Sequence, residues 1–184
     1  FLGASGQKEQ EYILSHPVEI IEKGGAFYHE NSCDGLVGLG GGSSIDCGKA
    51  IAVMATNEPP ISQYAGLHNV PNRGVPLIVI PTTAGTGSET TLVAVIKDHQ
   101  RHQKMPFVSY FLLPDAAVLD SRMTLTLPPA ITAATAMDAL THAMEAYTCL
   151  AKNPLSDASA ASAIELIAQN LMPVMKQPYD RDGR

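Results

Sequence analysis

Asp138 and His142 stand four residues apart in the run Ala136-Met137-Asp138-Ala139-Leu140-Thr141-His142-Ala143-Met144-Glu145, whose composition reads as helix. At 3.6 residues per turn their carboxylate and imidazole project from one face, one turn apart, where both can grip a single divalent metal ion. Two such ligands make half a site, since a catalytic metal usually takes three or four from the protein. The same spacing suits an Asp that is simply the hydrogen-bonding partner of a helical His, and both readings stand on spacing alone. Glu145 and Cys149 continue the face as further candidate ligands or as plain helix residues.

A second kind of chemistry is written in the glycines. Gly41, Gly42 and Ser43 lie between the apolar run Leu36 to Leu39 and a helix expected over Ile45 to Ala55. Backbone N–H groups at such a helix start, with no side chain covering them, form a ready site for a pyrophosphate. The wording matches neither GxGxxG nor GxxxxGK[ST], so a tight turn explains it equally well. Ser43 with Asp46 reads as a capping box. The segment Pro81-Thr82-Thr83-Ala84-Gly85-Thr86-Gly87-Ser88-Glu89 follows a second apolar run and offers hydroxyls and amides where α/β sheets bind ligands, while Thr86 to Glu89 also spells a helix-start cap.

These candidates require elements to position them. A helical stripe, Val18, Ile20, Ile21, Ala26 and Phe27, feeds a strand at residues 34 to 39, and Pro76 to Ile80 is a second buried strand. This alternation is the rhythm of an α/β parallel sheet. Thr91 to Ile96 and Lys104 to Ser109 read as a hairpin, and Ala116 to Leu119 as a third buried strand. From Leu127 the texture turns to alanine-rich helices, Pro129 to Leu150 and Ser156 to Gln169 or beyond. The expected organisation is therefore a Rossmann-like parallel-sheet domain over residues 1–123, followed by the first helices of an all-α domain over 124–184.

The 184 residues are 45% apolar and 16% charged, enough to bury a sizeable core. A net charge of −6 without a Lys/Arg cluster argues against nucleic acid as partner. No apolar run approaches a membrane span. Cys33, Cys47 and Cys149 are odd in number and widely spaced, which suits a reducing cytoplasm and neither a disulfide framework nor a zinc ribbon.

Taken together, GLGGGSSIDCGKAIA (38 to 52), PTTAGTGSETT (81 to 91), RHQKM (101 to 105) and TAATAMDALTHAMEAY (132 to 147) resemble the iron-containing, or group III, alcohol dehydrogenases in wording, order and spacing. The resemblance runs from about His16 to the last residue. It implies hydride transfer between NAD or NADP and a primary alcohol, aldehyde or small diol, with Fe²⁺, alternatively Zn²⁺, in a homo-oligomeric cytoplasmic enzyme. Carried onto this sequence, Gly42 and Ser43 would hold the pyrophosphate, and Thr82 and Thr83 the adenosine and phosphate side. Thr91, Val93 and Lys104 would hold the hairpin side. Met123 stands where the family usually has a leucine contact. Asp138 and His142 match the first two of one Asp and three His metal ligands.

Some positions depart from the family pattern. His16 stands for a usual Asn, Ala136 for a Gly, and Ser121 for a Pro after Asp120. The remaining metal histidines would lie beyond Arg184, so the resemblance implies an internal piece of a longer enzyme that is catalytically poor by itself. A zinc enzyme of the glycerol dehydrogenase kind and a metal-free nucleotide-binding module are the alternatives.

Overall fold

A computed structural model describes residues 17–98 and 103–184, which divide into two compact units. The first comprises the described residues up to Pro81 together with those of Ser88–Val118. The second comprises Thr82–Gly87 and Leu119–Arg184. The division thus falls five residues before the expected boundary and sends the Thr82–Gly87 loop to the helical side.

In the first unit, helix α1 (Pro17–Glu30) leads to strand β1 (Leu36–Gly40), helix α2 (Gly42–Met54), the two-residue strand β2 (Gly66–Leu67) and strand β3 (Leu77–Pro81). Then follow β4 (Val93–Asp98), β5 (Gln103–Val108) and the short β6 (Ala116–Ala117). β1, β3 and β6 form a parallel sheet in the order β1-β3-β6, with Gly38 opposite Val79 and Val79 opposite Ala117. β4 and β5 pair antiparallel as the expected hairpin, and β2 adds to β5 in parallel. The expected helices, strands and hairpin are therefore present as an α/β fold.

From Lys49 to Met54 every residue of helix α2 is buried, and apart from that lysine this stretch is apolar on all sides, as a buried helix must be. Ile45 and Ala52 pack with Leu77 and Val79 on the parallel sheet. Cys47, Ala50, Ile51, Val53 and Met54 enter a second cluster with Ile20 and Ile21 of α1 and Ala94, Ile96 and Phe107 of the hairpin. Two expectations are corrected here. Ala26 and Phe27 of the α1 stripe are exposed, because the inward face continues instead through the buried Gly24 and Gly25. The third strand is only Ala116–Ala117 and is exposed, as are Val118 and Leu119, although Val118 N–H still donates to the Val79 carbonyl. On the sheet face away from α2, Val37, Leu39 and Ile78 are exposed.

The second unit is built on helices α3 (Pro129–Thr148) and α4 (Pro154–Lys176), which pack against each other. Pro129 opens α3, where its missing N–H costs nothing. Asn153 caps α4: its side chain accepts from the N–H groups of Leu155 and Ser156, and Ser156 Oγ accepts from the Asn153 N–H. Among the described residues no helix is long and apolar enough to cross a membrane.

Candidate functional site

β1 ends at Gly40, whose φ of +148° lies in the region that favours glycine. A Cβ there would also stand 2.6 Å from Ser44 Cβ and Oγ. Gly41 follows in extended geometry as the N-cap of α2 and supplies no side-chain cap. The expected capping box is not formed. α2 begins at Gly42, so Ser43 lies inside the first turn rather than before it, and the Asp46 carboxylate is engaged elsewhere. Strand β1, intermediate to exposed in burial rather than buried as expected, thus delivers a glycine turn to a helix N-terminus that no side chain caps, which is the arrangement that suits a diphosphate.

Asp46 and Lys49, one α2 turn apart, both reach the segment that opens the hairpin. Asp46 Oδ1 accepts from Ser88 Oγ at 2.6 Å, and Oδ2 from the Val95 N–H at 3.0 Å. Lys49 is fully buried, and its Nζ donates to the Thr91 carbonyl at 2.8 Å, the Val93 carbonyl at 2.9 Å and Thr91 Oγ1 at 3.3 Å. Burial pushes the Lys49 pKa down to about 8, against the opposing pull of Asp46 and Glu89. Sequence reasoning gave Asp46 a local capping role and passed over Lys49; the available signal was an Asp and a Lys one turn apart in a helix whose second half is apolar. Ser88 opens only a 3-10 turn, Ser88–Thr90, so no α-helix follows the Thr82–Gly87 loop.

In the first unit, therefore, Gly41, Gly42 and Ser43 are joined through α2 to Thr91 and Val93. Lys104 lies apart from these bonds, exposed near the start of β5 directly opposite Lys97. His16 and most of the RHQKM motif's first half, Arg101 and His102, lie outside the described residues.

The second unit holds Thr82, Thr83, Met123, Asp138 and His142. The Thr82–Gly87 loop runs against α3 so closely that a Cβ on Gly85 would fall 2.2 Å from the Thr135 carbonyl oxygen. Among the described residues the buried Thr83 Oγ1 finds no hydrogen-bond partner, an unmet polar group in this loop. Met123 is 41% exposed in a 3-10 turn, Ser121–Thr124, that Asp120 caps by accepting from the Arg122 N–H at 2.9 Å. A cavity of about 370 Å³ lies among Gly85, Thr135, Ala139, Leu166 and Leu171.

Asp138 Oδ1 and His142 Nε2 are 3.8 Å apart on one face of α3, both about half exposed. Glu145 and Cys149 do not join them: among the described residues, no three His, Cys, Asp or Glu side chains converge. An oxygen and an imidazole nitrogen at this separation suit Fe²⁺ or Zn²⁺ as part of a larger donor set.

The fold thus defined is of the α/β class: a parallel-sheet unit with a glycine turn opening an uncapped helix, continued in sequence by a helical unit with Asp138 and His142 on one helix face. The family profile described as iron-containing alcohol dehydrogenase matches residues 11–121, and that of the Fe-containing alcohol dehydrogenase family, C-terminal, matches 132–184. The chain belongs to the iron-containing alcohol dehydrogenase family. It is 42% identical to alcohol dehydrogenase 4 of Schizosaccharomyces pombe over 93% of its own length and 39% of the relative's. The crystal structure of a 1,3-propanediol oxidoreductase superposes with a TM-score of 0.86 at 40% identity, covering 89% of this chain and 43% of that one. A sulfoacetaldehyde reductase from Bifidobacterium kashiwanohense, solved with NAD⁺, gives a TM-score of 0.86 at 34% identity over 90% of this chain and 44% of that one. The chain thus spans about two fifths of the length of the relatives it matches.

Proposed function

We propose that this chain supplies the nicotinamide-cofactor unit and the first metal-binding helix of an oxidoreductase acting on a primary alcohol, its aldehyde or a small diol. The observation that carries this reading is the Asp138–His142 pair, 3.8 Å apart on one face of α3, in a chain whose other unit opens α2 on a glycine turn.

The residues fit the groups the family implies. The uncapped start of α2, Gly41 to Ser43, would take the diphosphate, and the orphaned Thr83 Oγ1 with Thr82 would meet its adenosine side. Thr91, Val93, Lys104 and Met123 would meet the rest of the dinucleotide. NAD is favoured over NADP by the likeness to a structure solved with NAD⁺. Asp138 and His142 would be two ligands of Fe²⁺, with Zn²⁺ as the alternative. When bound, the ion supplies Lewis-acid polarisation of the substrate oxygen, which favours hydride passage between the substrate carbon and nicotinamide C4. Asp138 brings the negative charge that such an ion requires, and His142 a nitrogen donor held in register by the helix.

The unpaired Cys33, Cys47 and Cys149 support a reducing compartment, the cytoplasm. The exposed Val37, Leu39 and Ile78 support association with further protein, as in a homo-oligomer. Titration of the chain with NADH, followed by nicotinamide fluorescence, tests the cofactor half: saturable binding displaced by ADP is expected, and its absence overturns the reading.

A further inference from the structure

We infer that Glu145 is a positioning residue for His142: its carboxylate accepts the ring N–H that His142 keeps when the opposite ring nitrogen serves a metal ion. The inference rests on the metal reading above and deepens it.

Asp138, His142 and Glu145 all lie within α3, at i, i+4 and i+7. His142 is turned so that Nε2 faces Asp138 Oδ1, 3.8 Å away, which leaves Nδ1 as the nitrogen on the other side of the ring. A histidine that ligates through one nitrogen almost always donates its other N–H to a carboxylate, a carbonyl or water, and that bond fixes the ring. The residues one turn from His142 along the helix are Asp138, Ala139, Glu145 and Ala146. With Asp138 on the Nε2 side and two alanines, Glu145 is the one that brings a side-chain acceptor to Nδ1. Helical side chains tilt towards the N-terminus, so a glutamate three residues on reaches back over the histidine. Glu145 is exposed and joins no group of three potential ligands among the described residues, so its carboxylate is neither tied into the core nor placed to ligate. What it can supply is the orientation of the imidazole.

The experiment titrates Co²⁺ into the 184-residue chain, Glu145→Ala and Glu145→Gln, and follows the His142 Nδ1–H proton by NMR in the same three chains loaded with Zn²⁺. Glutamine keeps an acceptor oxygen without the charge, and neither substitution touches the core. The Co²⁺ Kd is expected to rise about tenfold in Glu145→Ala and about threefold in Glu145→Gln. The Nδ1–H proton should be protected from solvent exchange in the parent and in Glu145→Gln, and lost in Glu145→Ala. Equal weakening by both variants would mark a charge acting at a distance. That outcome, an unchanged Co²⁺ Kd in Glu145→Ala, or a Nδ1–H signal that does not differ between the parent and Glu145→Ala, overturns the inference alone. Failure of the parent to bind Co²⁺, or binding that persists in His142→Ala, overturns the metal reading and this inference with it.

Discussion

Gly85 and Thr135 meet backbone to backbone: a methyl group on Gly85 would stand 2.2 Å from the Thr135 carbonyl oxygen and 2.7 Å from its carbon. Thr135 precedes Asp138 by three residues on α3, so the hydroxyl-rich loop is seated on the helix that presents the Asp138–His142 pair. No flexible side chain is available to yield, since the obstructing atoms are helix backbone.

Gly85→Ala should therefore force the loop off α3. Overpacking of this kind costs about 1–3 kcal/mol, and the thermal midpoint followed by circular dichroism should fall by about 5 °C in a chain of this size. An unchanged midpoint would show that the loop can leave the helix freely.

Gly40→Ala should damage the turn itself. The new Cβ meets Ser44 at 2.6 Å and must also occupy φ +148°. We expect the NADH Kd to rise about tenfold or more, with the strain costing about 1–3 kcal/mol of stability. Fluorescence titration beside a denaturant melt separates the two effects.

His142→Ala and Asp138→Asn should each abolish divalent-metal binding by the chain. With two protein donors the other coordination positions go to water, so the parent chain itself binds weakly. Co²⁺ added to the parent should give a weak visible spectrum of six-coordinate type that disappears in either variant. A strong tetrahedral spectrum retained in His142→Ala would place the metal elsewhere.

Lys49 makes stability depend on pH in a set direction. Its folded pKa of about 8 lies below the ordinary 10.5, so between those values the unfolded chain binds more protons than the folded one. Stability from this group is therefore lowest below pH 8, where the cation is buried, and rises as pH climbs from 8 towards 10.5. Urea midpoints should show that rise in the parent chain and not in Lys49→Met.

Periodicity made the elements legible where apolar side chains did the packing, as at Ile45 and Ala52 on the sheet. It failed where glycine did the packing: the α1 stripe was extended to Phe27 because Gly24 and Gly25, which carry no hydropathy, are the residues that face α2. The glycine turn and the Asp138–His142 spacing were readable because both are local. The Ser43–Asp46 capping box was misread for the opposite reason, since the partners of Asp46 lie 42 and 49 residues away and no local pattern reports them. Lys49 escaped notice on the same ground, its acceptors being backbone carbonyls that any residue could supply.

Val37, Leu39 and Ile78 turn one side of the β1-β3-β6 sheet into a plane of bare hydrocarbon, whereas the opposite side is sealed by α2. Strands that carry apolar residues on both sides gain nothing from a wet face. Salting-out agents such as sulfate make wetting such a plane costlier, so copies of this chain should coalesce in sulfate long before they lose their helical circular dichroism.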